Sequence, residues 1–261
     1  MERKEFIYKK GDSLNKINPY IKYDLIDLSG YKNTSSFQLS FIKAKKLILS
    51  EITLLKNEML ISCECDEIVF PKTLKTILTN SISNKNIKEL NFANTRLERI
   101  NGYAAKNNTY IEKVIIPIHI ILGSYTFENC TSLRKINLEN ASYIYKNCFA
   151  GCTSLEQISL NGILRGNEIF KGCKNLKSVM FLENFNADFI DDIITSFKDC
   201  TNLQNIYIDK NIEKNLQTDL KSLFKNLNIT DNKLDFLINQ NKSFKEINKI
   251  LKEDVQKDYL I

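Results

Sequence analysis

The chain has 261 residues, of which 43% are hydrophobic and 26% charged, and its formal net charge is +6 at pH 7. This hydrophobic content is ample for a folded core, and it excludes a chain that is disordered along its whole length. The sequence has no run of about 18 apolar residues, so it offers no candidate for a transmembrane helix.

The N-terminal residues 1–20 are polar and charged around the apolar stretch Phe6-Ile7-Tyr8. They lack the apolar core of a secretory signal peptide, which favours a cytoplasmic protein and leaves secretion or delivery to a host as the alternative. Because an unprotected end of a β-structure is adhesive, we expect residues 1–20 to form an N-terminal cap.

The pattern Φ-x-x-Φ-x-Φ, where Φ is an apolar residue, recurs through residues 21–229. Its period is 21 or 22 residues at most steps, which predicts one solenoid domain of nine or ten stacked repeats. The middle apolar residues are Ile26, Leu47, Ile68, Leu90, Val114, Ile136, Ile158, Val179, Ile206 and, in a tenth copy made by Phe224, Leu227 and Ile229, Leu227. The step of 27 residues before Ile206 predicts an insertion near residues 185–194 that bulges from one edge.

Within each repeat, the last two apolar positions alternate as in a short strand whose apolar side chains share one face. Stacked repeats place these strands side by side in a parallel sheet over a continuous core. From the segments that cross back over that core, we expect four leucines to enter it: Leu133, Leu155, Leu176 and Leu203.

Four copies share a longer motif, F-x-x-C-T-S-L-x-x-I-x-L or a close variant of it. They begin at Phe127, Phe149, Phe170 and Phe197. This motif resembles the leucine-rich repeats of the BspA-like, or treponemal, class. The resemblance implies a right-handed α/β-type solenoid with a parallel β-sheet on its concave face, and a role in binding or adhesion rather than catalysis. The proline that often ends the family's strand is present only at Pro71 and Pro117.

In each predicted strand, the residue between the two apolar positions points away from the core, and these residues form the candidate partner-binding site. They are Ile48, Val69, Asn91, Ile115, Asn137, Ser159, Met180 and Tyr207. With the flanking columns, three lysines and five acids lie on this strand face, so its net charge is about −2 although the chain is basic. A mildly acidic surface with apolar anchors favours a protein partner, whereas phosphate binding would need concentrated Lys and Arg. The alternative is that the apolar residues only satisfy strand propensity.

The seven cysteines are an odd number, and four of them occupy equivalent positions in the repeats. We therefore expect free, buried thiols in an apolar slot rather than disulfides. The pair Cys63-x-Cys65 lacks both the spacing of a metal knuckle and a second pair, so no metal site is predicted.

Few residues suit catalysis. The only histidine, His119, follows a predicted strand in the run VIIPIHIIL, and no motif supplies an orienting third residue for a Cys-His pair. The segment Gly162-Ile163-Leu164-Arg165-Gly166 has the wrong form for a glycine-rich phosphate loop. The sequence therefore predicts neither an enzyme nor a cofactor.

Residues 230–261 are predicted to form a C-terminal helical cap. The motif Ser243-x-x-Glu246 is a capping box that opens a helix with apolar residues at helical spacing. A short helix near Leu234–Ile238 is expected to precede it. The alternative is that the last helix docks into a partner.

Three functional hypotheses follow from these observations. The first is a non-enzymatic protein-interaction module that binds a macromolecular partner through the concave strand face. The second is a basic nucleic-acid-binding protein, suggested by the net charge. The third is an inhibitor or effector that occludes another macromolecule's active site. The composition of the strand face favours a protein partner, which remains unidentified.

Overall fold

Two columns of short parallel strands run along the molecule. The computed structural model describes residues 3–31, 39, 41–82, 86–187, 190–226 and 235–239. Numbered in chain order, the strands of the first column are β1 (Glu5–Ile7), β2 (Tyr23–Asp27), β3 (Lys43–Ile48), β5 (Glu64–Val69), β7 (Glu89–Asn91), β9 (Lys113–Ile115), β11 (Lys135–Ile136), β13 (Gln157–Leu160), β15 (Ser178–Phe181), β17 (Asn205–Asp209) and β18 (Asp235–Asn239). The predicted parallel-strand solenoid is confirmed.

The strands of the first column form three separate sheets, and within each sheet the apolar positions of the repeat lie in register from coil to coil. Ile26 aligns with Leu47 and Leu47 with Ile68, while Val179 aligns with Ile206 in the last coils. All five side chains point into the core and are buried. The four leucines that were predicted to cross into the core are also fully buried. No coil buries its apolar face alone, so the stability of the column is a sum over neighbouring coils.

The second column is a single sheet of seven strands on another side of each coil. Its strands are β4 (Leu54–Leu55), β6 (Thr76–Ile77), β8 (Arg99–Ile100), β10 (Ile120–Leu122), β12 (Ala141–Tyr145), β14 (Ile163–Arg165) and β16 (Asn186–Ala187). The sequence analysis did not predict this sheet, because most of its strands have two or three residues and are too short to show an alternating pattern.

The phenylalanine that opens each copy of the long motif lies inside the turn that closes the coil. Phe127, Phe149, Phe170 and Phe197 are fully buried. Their rings form a continuous stack, with centroids 5.4 to 5.5 Å apart and planes inclined by 5 to 15°. Because the motif has the same spacing in these four coils, a phenylalanine ring fills the same internal position in each of them, as close packing requires.

The cysteine three residues later joins neighbouring coils. The thiol of Cys152 donates to the carbonyl oxygen of Phe127 at 3.1 Å, and that of Cys173 donates to the carbonyl oxygen of Phe149 at 3.2 Å. The same hydrogen bond recurs at Cys200. All seven cysteines are free and buried, which confirms the expectation of free thiols. A thiol is small and apolar enough for the slot, and it still satisfies a buried carbonyl group.

In the turns at Phe127, Phe149 and Phe170, the backbone is left-handed on both sides of the phenylalanine. Around Phe127 these residues are Tyr125, with a φ of 61°, and Asn129, with a φ of 59°. In the next coil, Gly151 occupies the position of Asn129, with a φ of 73°. Glycine and asparagine tolerate this conformation, which explains their recurrence there. Tyr125 is bulkier, and its ring stacks on the ring of Tyr103 with the two centroids 4.8 Å apart.

The predicted insertion is a short helix. It follows β16 as α1 (Ile190–Ser196), which packs against β14 and β16. Ile193 is fully buried and the insertion begins at the buried Phe185. The extra residues thus extend the core instead of forming an external loop.

The end of the solenoid differs from the sequence prediction. Phe224, the first apolar residue of the proposed tenth copy, lies in α2 (Lys214–Asn226), where Leu216, Leu220, Leu223 and Phe224 are spaced as on one helix face. The strand of that copy was expected at Leu227 and Ile229, which lie outside the described residues. The last described strand of the column is β18, which pairs in parallel with β17. The prediction of a short helix near residues 234–238 is therefore wrong over residues 235–238, which belong to β18. The helix predicted from Ser243 lies outside the described residues.

The start of the column is also a strand. β1 pairs in parallel with β2, and Phe6 aligns with Ile26. Phe6 and Tyr8 pack against the core, whereas Ile7 is 51% exposed on the outer side. The N-terminal residues thus continue the sheet rather than crossing over its end.

We expect the Gly162→Ala variant to be destabilised by about 1 to 3 kcal/mol relative to the wild type. Gly162 lies between β13 and β14, and a methyl group there would overlap the backbone of Ala141 and Ser142 in the preceding coil. Urea unfolding followed by circular dichroism measures the difference. Gly30→Ala is the control, because a methyl group at Gly30 would lie 3.5 Å from the nearest atoms. An equal loss of unfolding free energy in both variants would contradict the close contact between Gly162 and the preceding coil.

We expect the seven thiols to resist a thiol reagent at pH 8 in the folded protein and to react once it is unfolded. Burial raises the pKa of Cys65, Cys130 and Cys200 to about 12, from an ordinary value near 9. Thiols are protonated in both states at neutral pH, and above pH 9 only the unfolded chain releases these protons. The free energy of unfolding should therefore fall as the pH rises above 9. Rapid modification of the folded protein would contradict this burial.

Candidate functional site

The outward residues of the first column form three separate groups on the strand face. Register places Ile48 beside Val69 and Asn91 beside Ile115. A third group, in the later coils, aligns Ser159, Met180 and Tyr207 in one row. The structure thus brings most of the candidate residues together as neighbours in rows across adjacent strands. Except for Met180, all of these side chains are half-buried or exposed.

Met180 is not an exposed anchor. It lies on the outer side of the sheet, outside the main core, but only 3% of it is exposed because Leu182 and Tyr207 pack against it. The accessible part of this small apolar cluster is formed by Leu182 and Tyr207. The columns that flank this row were also expected to be exposed. Three of their members, two positions away from Ile48, Val69 and Met180, are buried: Ser50, Pro71 and Ser178.

Asn137 does not point away from the column as predicted. The strand β11 ends at Ile136, and the chain continues as a 3-10 helix, η1 (Leu138–Asn140). The side-chain amide of Asn137 accepts from the Ile116 N–H at 2.8 Å and donates to the Ile116 carbonyl at 2.9 Å. The side chain of Asn137 thus makes the two hydrogen bonds to Ile116 that the backbone would make if β11 continued as a strand. Its hydrogen-bonding groups are engaged within the fold.

The helix η1 interrupts the strand face between the group of Asn91 and Ile115 and the group of Ser159, Met180 and Tyr207. Asn140 donates to the same carbonyl oxygen of Ile116 at 3.0 Å, which fixes the helix against β9. Glu139 lies beside it, and burial raises the pKa of its carboxyl group. The sequence could not reveal the interruption, because Ile136 and Leu138 keep the apolar spacing of a strand.

Two lysines on the strand face form ion pairs with glutamates of neighbouring coils. Nζ of Lys46 lies 2.8 Å from Oε1 of Glu67, and Nζ of Lys113 lies 3.1 Å from Oε2 of Glu89. These exposed pairs contribute little to stability, but they neutralise two of the three lysines that were counted on this face. The face therefore combines compensated charges with apolar side chains.

Groups with catalytic or metal-binding potential are dispersed. His119 lies in an exposed turn with a φ of 62°. Within the described ranges, no cluster of three or more His, Cys, Asp or Glu side chains could hold a metal ion. Among the helices that the structure describes, none is long and apolar enough to cross a membrane.

The repeat pattern matches the sequence profile of the BspA type leucine rich repeat region, in six copies that cover residues 33–156 and 122–251. The chain belongs to this BspA-type leucine-rich repeat family. No curated protein matches the chain.

Solved structures with a similar fold are bacterial repeat proteins. A leucine-rich repeat protein from Bacteroides ovatus is 19% identical over 75% of this chain and 54% of its own, with a TM-score of 0.46. The pneumococcal vaccine antigen PcpA is 13% identical over 84% of this chain and 66% of its own, with a TM-score of 0.44. A leucine-rich cell surface protein from Faecalibacterium prausnitzii is 14% identical over 76% and 72%, with a TM-score of 0.40. This chain spans about half the length of the Bacteroides protein.

We expect Asn137→Ala to lower the free energy of unfolding by about 1 to 3 kcal/mol, because it leaves two backbone groups of Ile116 without this partner. Asn91→Ala is the matched control on the same face. Asn91 is exposed and its side-chain oxygen Oδ1 accepts from the nearby Ala93 N–H, so the loss of this side chain should cost about 0.5 kcal/mol or less. Urea unfolding compares the two, and equal losses would contradict the structural role of Asn137.

Proposed function

We propose that this protein is a non-enzymatic protein-interaction module and that its strand face holds the partner. The observation that carries the proposal is the combination of half-exposed apolar side chains with lysines of which two are paired with glutamates of neighbouring coils. Compensated charges favour a partner that contributes apolar contacts, whereas a phosphate-binding face would present unpaired Lys and Arg. Stacked repeats of this family generally offer extended binding surfaces of this kind.

Two parts of the strand face are suited to hold apolar side chains of the partner. Ile48 and Val69 form the first, near the start of the column. Leu182 and Tyr207, supported from below by the buried Met180, form the second. Tyrosine residues in well-packed surroundings are frequent energetic centres of protein interfaces. The proposed partner bridges η1, which lies between these two parts.

The partner itself must first be identified, and we would capture it from the source cell with the tagged 261-residue chain. The binding of the purified partner is then measured by calorimetry against variants of the strand face. Ile48→Asp and Leu182→Asp should each weaken binding at least about tenfold, since each puts a charge into a desolvated contact of one of the two parts. Met180 is left unchanged because its burial would confound binding with folding.

Ile194→Asp is the control variant for this experiment. Ile194 is 37% exposed on α1, which packs on the second column and not on the strand face. Circular dichroism verifies that each variant is folded. Unchanged affinity of both strand-face variants, or equal weakening by the control, would rule out the strand face as the site. Retention of the wild type on heparin with loss at higher salt would instead favour the nucleic-acid hypothesis.

A further inference from the structure

A row of side chains runs along the turns that lead from the second column back to the first. Each member is the residue at which its turn enters left-handed backbone, with φ between 52 and 62°. The members of this turn row are Glu58, Asn80, Tyr103, Tyr125, Asn147 and Glu168. Backbone hydrogen bonds between coils hold the row in line, as where the Asn80 N–H donates to the carbonyl oxygen of Tyr103 at 3.3 Å.

Two members of the turn row are tyrosines, although left-handed backbone suits a bulky residue poorly. Asparagine tolerates this conformation, and it occupies the same position at Asn80 and Asn147. Burial does not explain the choice of tyrosine, since Tyr103 is 41% exposed. Residues held in an unfavourable backbone conformation are concentrated at functional sites. The exposed ring of Tyr103 therefore indicates a contact with a ligand.

The rings of Tyr103 and Tyr125 form a fixed pair. Their centroids are 4.8 Å apart and their planes are inclined by 13°. Nζ of Lys106 lies 5.3 Å from one centroid and 5.4 Å from the other. Because these distances are nearly equal, the ammonium group lies beside the stack and not over the outer face of Tyr103. The preceding member of the row is Asn80, whose exposed side chain is too short to add a third ring.

The polar groups beside this pair are compensated or uncharged. Nζ of Lys106 lies 2.5 Å from Oε2 of Glu128, so its charge is neutralised within the turn. Nδ2 of Asn129 donates to Oδ1 of Asn107 at 3.0 Å, and both of these amides are exposed. A phosphate or a carboxylate would be held by unpaired cations. An aromatic face among amides and a paired charge instead fits a neutral ligand that is rich in hydroxyl groups.

We propose that the outer face of Tyr103 binds a pyranose ring of a neutral oligosaccharide. The C–H groups of a pyranose face carry a small positive partial charge, and they pack on the negative face of an aromatic ring. The hydroxyl groups can donate to and accept from side-chain amides such as those of Asn80 and Asn107. The sugar ring thus takes the place of a third ring in the stack, above Asn80.

This site is independent of the strand face, because it lies in the turns that follow the second column. The test uses the isotope-labelled 261-residue chain and four neutral oligosaccharides: cellotetraose, maltotetraose, mannotetraose and chitotetraose. Amide chemical shifts are followed by nuclear magnetic resonance during each titration. We expect saturable shifts with at least one of the four sugars, confined to the turns that contain Asn80, Tyr103 and Tyr125.

The variants separate binding from folding. Tyr103→Asn should weaken sugar binding about tenfold or more, because the stacking face is lost. The same variant should unfold in urea at no lower concentration than the wild type, since asparagine suits this backbone better. Tyr103→Phe keeps the ring face and should retain most of the affinity. Tyr20→Asn is the control, because Tyr20 is 92% exposed and lies outside the turn row, and it should leave the affinity unchanged.

Several results would overturn this proposal. They are the absence of saturable shifts with all four sugars, shifts that map outside these turns, and unchanged affinity of Tyr103→Asn. Equal weakening by Tyr20→Asn would also overturn it. Tighter binding of a decaproline peptide at the same turns would assign the tyrosine pair to proline-rich segments instead. Failure of the strand-face variants described above would not affect this outcome, because the sugar titration measures a separate surface.

Discussion

In the four coils that carry the long motif, the closing turn depends on a hydrogen bond between a buried thiol and a carbonyl group of the preceding coil. Cys152 donates in this way to Phe127, whose ring stacks in turn on Phe149. The carbonyl lies inside the column, away from water, so it needs a donor that fits an apolar slot. A cysteine supplies the donor with little polar surface, and the stacked rings fix the distance between coils. Each coil is thereby completed by its neighbour.

Regular stacking of the turns does not require regular strands. At β11, the coil keeps its turn and its buried Ile136, but the strand gives way to a 3-10 helix and the amide of Asn137 takes over its pairing. The repeat tolerates this because the core column, rather than the sheet, holds adjacent coils together. The consequence is a strand face in separate parts, with the cluster around Met180 on the far side of η1.

The two columns give the protein two chemically different surfaces. On the strand face, lysines and acids such as Lys46 and Glu67 compensate each other between coils. On the outer side of the second column, the guanidinium of Arg165 lies over the ring of Tyr143. Register aligns the outward positions of paired strands, so a residue type that recurs in neighbouring repeats forms a row of like side chains. The two columns therefore present different side chains on their outer sides.

The sequence by itself determined the period, the buried apolar positions and the free thiols, because close packing imposes the same side chain at the same place in every coil, as at Phe149 and Leu155. Only the tertiary structure decided which candidate residues are accessible. Met180 and Asn137 both occupy outward positions of the pattern. Leu182 and Tyr207 cover Met180, and the side chain of Asn137 is hydrogen-bonded to the backbone of Ile116. It also decided that residues 235–239 form a strand, because a short apolar run has no preference that outweighs pairing with an available edge.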